Sequence, residues 1–358
     1  MKIGILTFHN AYNYGAVLQA YALQEVLIGL GNEVEIIDYR NSKIDRFHNY
    51  WSLKCNSFVK VLYRLLFSYA PLKKKERYFY DFLTNYLHLS KMRYNQNCTP
   101  SGYDLYIIGS DQVWNPLITG GIDPYYWGAL FKDGKTISYA ASSGSMDKLP
   151  SEDLRKIQRY LSNFSSVSVR EDHLKDFLDS KFSVSSQVVL DPTLLAGRDC
   201  FEKICAERLI DEPYVLIYQV ESNPRLLEIA RVVALKYKAK IVLIGLDTFQ
   251  NKNKYPDIDV ISPNVPDFLS LFKYAECVVA LSFHGTAFSL LFEKEFYSVR
   301  GGNMARVSSI LEPLGLLERI IDTKESIDYS LIDFSEVNCR LKILRDDSKE
   351  FLTHSFSN

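Results

Sequence analysis

Along this chain, short unbroken runs of apolar residues alternate with longer stretches in which apolar positions recur every three or four residues. The first run, residues 3–7, is too short for a helix and carries no polar interruption, so it predicts a strand covered on both faces. A polar loop follows at 9–15 (HNAYNYG). Leu18, Ala22, Val26 and Leu30 then stand four apart, predicting a helix that stops at Gly29 and Gly31. Residues 34–39 form the next strand. Strand, helix and strand in succession make a βαβ unit with a right-handed crossover.

The rhythm lapses between about 41 and 100, where helices are predicted at 57–70 and 74–89, separated by Pro71 and the basic run at 73–75. This reads as a helical insertion. Strands resume at 105–109, 136–140, 166–169 and 188–190. A charged helical stretch at 198–210 and Pro213 serve as a linker. The pattern then restarts, with strands at 214–220, 240–245, 259–261, 277–281 and 296–299 and helices near 224–238, 266–275 and 286–293. Continuous rather than alternating runs belong to parallel sheets buried on both faces.

Two serial βα arrays predict an α/β fold of two Rossmann-like domains with mostly parallel sheets, facing a cleft that holds the ligand. The expected boundaries are 1–195, including the insertion, and 196–335. A last helix at about 336–352, within a segment 336–358, is expected to pack back on the first domain. A length of 358 residues, beyond what one core usually sustains, agrees with two domains.

Composition narrows the function. With 42 basic and 43 acidic residues the chain has no basic footprint for nucleic acid. Six scattered cysteines without a C-x-x-C read as free thiols in a reducing compartment. The start, MKIGILTF, lacks a long apolar segment of the secretory kind, and no window approaches a spanning helix. The expected location is therefore cytoplasmic. An aromatic, basic helix pair around 57–77 leaves open a peripheral contact with the inner face of the cell membrane, against the plainer reading of a core helix with solvated lysines.

Candidate chemistry gathers where strands end, because ligands of open α/β sheets bind beyond the carboxyl ends of strands. Gly109, Ser110, Asp111, Trp114 and Asn115 follow one strand and could hold hydroxyls or phosphate, or form a self-stabilised Asx turn. Asn13, Tyr14 and Gly15 open the first helix, where backbone N–H groups could hold an anion or Asn13 could simply cap. Ser282, His284, Gly285 and Thr286 lie at a strand-to-helix turn, which makes His284 a candidate for proton transfer. Arg170 follows another strand and could clasp an anion or pair with Glu171 or Asp172. Asp191 ends the next strand and is read first as a cap. Arg300, Gly301, Gly302, Asn303 and Arg306 form a small basic loop. No cluster has the spacing of a metal site.

Six of these segments, in order, resemble the polysaccharide pyruvyl transferase family: NYGAVLQAYALQ, GSDQVWNP, SVRE, VVLDPT, PDFL at 266–269 and SFHGTAFSLLF. Together they span roughly residues 1–320. The resemblance implies a GT-B-like architecture and transfer of a pyruvyl group from phosphoenolpyruvate, as co-substrate with no other cofactor, onto two hydroxyls of a sugar. The ketal so formed belongs to a capsule or exopolysaccharide precursor, and the acceptor would be a lipid-linked oligosaccharide or repeat unit. It also implies that His284 is an acid and Arg170 a binder of the donor anion. Some members carry arginine two residues before this histidine; here Ser282 occupies that position, leaving Arg170, Arg306 or Lys294 to substitute. Two other readings stay open on the residues alone: a GT-B-like glycosyltransferase using a nucleotide-sugar, and a glycan-binding scaffold protein.

Overall fold

The computed structural model describes residues 1–44, 69–144, 146, 149–220, 223–245, 257–301 and 304–357. Among them the chain forms two all-parallel sheets. The first comprises β1 (Lys2–Leu6), β2 (Glu33–Tyr39), β3 (Leu89–Tyr94), β4 (Leu105–Ile108), β5 (Lys135–Ala141), β6 (Ser166–Val169) and β7 (Ser186–Val188), in the order β3-β2-β1-β4-β5-β6-β7. The second comprises β8 (Tyr214–Tyr218), β9 (Lys240–Ile244), β10 (Asp259–Ile261), β11 (Cys277–Ala280), β12 (Glu295–Val299) and β13 (Ile320–Ile321), in the order β10-β9-β8-β11-β12-β13. Both orders run outward from the first strand and then restart on its other side. The loops after β1 and β4, and after β8 and β11, thus flank the points where ligands of such sheets bind.

The helices of the first half are α1 (Tyr14–Gly29), α2 (Tyr69–Tyr86), α3 (Pro116–Thr119), α4 (Ser151–Leu161), α5 (Asp172–Phe182) and α6 (Pro192–Ala196). Those of the second half are α7 (Arg198–Glu202), α8 (Pro224–Tyr237), α9 (Val265–Lys273), α10 (Phe283–Leu291), α11 (Ala305–Leu314) and α12 (Phe334–Ser357). Two compact units result, one around each sheet, and the part of α12 from Lys342 onward counts with the first. There Ser348 Oγ accepts from Leu190 N at 2.9 Å and Arg345 Nε donates to Leu194 O at 2.6 Å.

Most apolar runs bury as the sequence predicts, though the strand predicted at 188–190 lies at Ser186–Val188 and Val220, placed in the strand 214–220, is exposed. Leu105 to Ile108 and Cys277 to Ala280 are fully covered, and α1 is buried on nearly every side, packing on α6 as well as on β2. Three further expectations change. The helix α2 runs through Pro71 and the basic run at 73–75 instead of being broken there. Residues 89–94 form an edge strand, so the insertion contributes to the sheet; its polar sequence LSKMRY hid it. The stretch at 198–210 is helical only over Arg198–Glu202. The helix predicted at 57–70 lies, apart from its last two residues, outside the described residues, as do Gly302 and Asn303.

Candidate functional site

In the first unit, β4 ends at Ile108 and the chain turns sharply over Gly109, Ser110 and Asp111. Gly109 has φ +118°, and a Cβ there would lie 2.2 Å from Tyr139 O, so no other residue fits. Asp111 has φ 69°, which aspartate tolerates better than most residues. Its carbonyl accepts from Val113 N at 2.8 Å and from Ser142 N at 2.9 Å, which ties the turn to the end of β5.

The turn is held from below by buried polar groups. Gln19 Nε2 donates to Thr7 Oγ1 at 2.8 Å, and Thr7 Oγ1 donates to Ser110 O at 3.0 Å. Ser110 Oγ sits 3.0 Å from Asp191 Oδ2 and 3.1 Å from Ala140 O. Arg170 completes the cluster. Its Nη1 donates to Asp191 Oδ2 at 2.7 Å and its Nε to Glu171 Oε1 at 3.3 Å, while Nη2 lies 3.8 Å from Asp111 Oδ1. Ser142 Oγ adds a 2.6 Å bond to Glu171 Oε1. Burial alone would lower the guanidinium pKa, but the charges of Asp191, Glu171 and Asp111 outweigh it and hold the pKa above its ordinary value.

Asp191 is the cap that its position at a strand end predicts, and it also pairs with Arg170. Its Oδ1 accepts from Thr193 N at 3.0 Å and Thr193 Oγ1 at 2.7 Å, capping the first turn of α6, while Oδ2 faces Arg170. Trp114 is fully buried: it stacks on Trp127 at 4.5 Å and donates from Nε1 to Tyr126 O at 2.6 Å. It is a core residue and offers no face to a sugar. Asn115 caps α3 through Leu117 N, and Asn13 caps α1 through Ala16 N, with Tyr14 and Gly15 buried behind it.

In the second unit, β11 ends at Ala280 and α10 begins almost at once. Ser282 is its cap: Oγ accepts from Gly285 N at 3.1 Å, and the carbonyl accepts from Thr286 N at 3.2 Å. His284 is therefore inside the first helical turn, 9% exposed, with its ring edge-on to Phe283 at 5.3 Å. A Cβ on Gly285 would stand 2.6 Å from Ala280 Cβ, so glycine here lets the helix press against the strand. Thr286 Oγ1 and Ser298 Oγ share a 2.6 Å hydrogen bond that fixes α10 to β12. Arg306 is half-buried in the first turn of α11, and Arg300 is engaged by Asp322 at 3.1 Å. Lys294 immediately precedes β12, on the opposite edge of the parallel sheet from His284, so it cannot replace the missing arginine. Burial pushes its pKa down.

The sequence thus located both strand-end turns and, beneath the first, Arg170 and Asp191, but not Thr7, Gln19 and Ser142. Thr7 and Ser142 carry one legible signal, a polar residue at or just past the end of a predicted strand; Gln19 inside α1 has none. Among the described residues no group of histidine, cysteine, aspartate and glutamate could hold a metal ion, and no helix is long and apolar enough to cross a membrane.

The family model for polysaccharide pyruvyl transferase matches residues 13–303. No curated protein matches the chain. Among solved structures it is similar to the S. aureus MnaA–UDP co-structure, at 12% identity over 98% of this chain and 87% of that one, with a TM-score of 0.51. It is likewise similar to UDP-N-acetylglucosamine 2-epimerase from Rickettsia bellii, at 9% identity over 99% and 96%, with a TM-score of 0.51. The glycosyltransferase SnogD from Streptomyces nogalater aligns at 12% identity over 98% and 95%, with a TM-score of 0.43. The two structures with TM-scores of 0.51 are alike in fold alone, the GT-B-like α/β arrangement of two parallel sheets.

Proposed function

Because the chain belongs to the polysaccharide pyruvyl transferase family, and is therefore a transferase, we propose that it moves the pyruvyl group of phosphoenolpyruvate onto two hydroxyls of one sugar. In this reading a proton adds to the methylene carbon of the donor and leaves positive character at C2. One hydroxyl oxygen bonds to C2 and gives up its proton. The bond from C2 to the phosphate oxygen then breaks, and the second hydroxyl closes the ketal. Two hydroxyl protons are released for the one taken up, and the difference leaves with phosphate.

The observation that supports this most is the setting of His284. It stands in the first turn of a nine-residue helix beyond the carboxyl end of β11, where the positive end of the helix attracts an anion beside an imidazole. His284 is assigned proton delivery to the donor or assistance to departing phosphate, and Arg306 of the same unit the donor's negative charge. Arg170 is assigned a positioning role, since three carboxylates already surround it. The acceptor is a capsule or exopolysaccharide precursor on a lipid carrier, met at the cytoplasmic side of the membrane, with phosphoenolpyruvate as co-substrate and no resident cofactor.

The test incubates the protein with phosphoenolpyruvate and a panel of acceptor glycans and follows inorganic phosphate. His284→Gln should cut turnover by about 10²-fold or more while the thermal transition stays in place. Turnover with UDP- or GDP-sugars and none with phosphoenolpyruvate would replace this reading with glycosyl transfer. Full activity in the His284 variant would remove the residue from the chemistry.

A further inference from the structure

Asp38, near the end of β2, gathers three basic side chains on one carboxylate. His9, in the loop after β1, has Nε2 3.0 Å from Asp38 Oδ1 and Nδ1 3.2 Å from Thr7 O. Arg40, just past β2, donates from Nε to Oδ1 at 2.5 Å and from Nη2 to Oδ2 at 3.2 Å. Arg93, the register partner of Asp38 on β3, donates from Nε to Oδ2 at 3.3 Å. Ser90 Oγ accepts from Asp38 N at 3.0 Å and fixes the backbone beneath. The family motifs do not include Arg40, Asp38 or Arg93, and the chemistry assigned to His284 does not use them.

The charges do not balance. One carboxylate faces two guanidinium groups, and like charges are brought side by side that would otherwise repel. A guanidinium has five N–H donors. Arg40 spends two of its nitrogens on Asp38 and Arg93 one, so each keeps donors that no described residue engages. Exposure is graded outward: the side chains of His9 and Asp38 are 1% and 9% exposed, that of Arg40 19% and that of Arg93 70%. Asp38 therefore acts as a buried anchor that holds two forks in place, and the forks open to solvent at the carboxyl edge of the sheet, where α/β folds bind their ligands.

We propose that Arg40 and Arg93, aligned by Asp38 and His9, form a binding site for a phosphate dianion, a phosphomonoester or diphosphate that is held and not cleaved there. Two guanidinium forks suit the tetrahedral oxygens of such a group better than a single carboxylate, because each can engage two oxygens at once. The site does not rest on the pyruvyl transfer reading. In that reaction two compounds carry phosphate, the donor and a lipid-linked acceptor, and the same chemistry serves either.

The experiment titrates the full-length protein by calorimetry at low salt with inorganic pyrophosphate, geranyl diphosphate and phosphoenolpyruvate. The expected result is saturable binding that weakens about tenfold in Arg93→Gln and in Arg40→Gln, with Arg93→Lys between the wild-type protein and Arg93→Gln because it keeps the charge and loses the fork. Since Arg93 is largely exposed, its variants report on binding and not on folding. An effect confined to the diphosphates assigns the site to an acceptor carrier; an effect confined to phosphoenolpyruvate assigns it to the donor. Absence of binding by all three anions, or binding unchanged in both glutamine variants, overturns the proposal. Phosphate release from phosphoenolpyruvate is measured in parallel on the wild-type protein. Its absence alongside Arg93-dependent binding would sink the pyruvyl reading and leave this site standing.

Discussion

Replacing Asp191 with alanine is the sharpest test of the network under the Gly109–Asp111 turn. The side chain is fully buried and takes four contacts: Arg170 Nη1 at 2.7 Å, Ser110 Oγ at 3.0 Å, Thr193 N at 3.0 Å and Thr193 Oγ1 at 2.7 Å. Its removal takes the nearest carboxylate from a buried guanidinium and leaves Glu171 at 3.3 Å and Asp111 at 3.8 Å. Breaking a buried pair from one side costs about 3–5 kcal/mol, mostly as uncompensated charge. At roughly 2–4 °C per kcal/mol for a unit of this size, Tm should fall by about 10 °C. The assay is intrinsic tryptophan fluorescence during thermal unfolding, because Trp114 and Trp127 stack in the core of the first unit and report on it. Arg170→Met made in the Asp191→Ala background should cost less than the same change in the wild-type protein, by about 0.5–3 kcal/mol of coupling. A Tm drop below about 3 °C, or strictly additive variants, would refute the claim that these two groups depend on each other.

Two further outcomes follow from separate features. Gly285→Ala places a methyl group 2.6 Å from Ala280 Cβ, which should cost about 1–3 kcal/mol and displace the first turn of α10; adding Ala280→Gly should recover stability, and wild-type stability in the single variant would contradict the close packing. For Asp38, burial alone would raise the carboxyl pKa, but hydrogen bonds and charges from His9 and Arg40 outweigh it and hold the pKa well below the ordinary 3.8. A carboxylate depressed in the folded state stabilises fully above its unfolded pKa and loses that contribution as pH falls below it. Asp38→Asn should therefore be less stable than wild type by about 2 kcal/mol at neutral pH, with the gap closing below about pH 4; denaturant titrations showing a gap that does not change with pH would refute the assignment.

What was legible in the sequence is what short-range pattern encodes. Continuous apolar runs identified the inner strands because both faces of a parallel sheet are covered, and their ends placed Gly109, Ser110, Asp111 and His284 at strand-end turns. The edge strand β3 escaped because only one neighbour pairs with it, so its sequence need not be apolar. Trp114 stood among polar residues and so resembled a binding residue; its indole instead found Trp127 and a carbonyl acceptor thirteen and twelve positions away. The Arg170 cluster was visible only as separate polar residues, since Ser110 and Asp191 are 81 positions apart and nothing in the spacing links them.

The same cluster bears on where an anionic substrate can be held. For Arg170 to turn toward a phosphate it would have to leave Asp191, and the cost of breaking that pair, about 3–5 kcal/mol, would be subtracted from the binding free energy. That is a factor of roughly 10² to several times 10³ in affinity. Arg40 and Arg93 face no such penalty, because the donors they would use are not engaged by any described residue and Asp38 keeps its own bonds when a ligand arrives. Nor does the first turn of α10, whose positive end exists whether or not an anion is present. A buried arginine ringed by carboxylates fixes the shape of a turn. Cations and helix ends that retain bonding capacity take up charge from solution, and the two kinds of site differ in the sequence only by what lies far away along the chain.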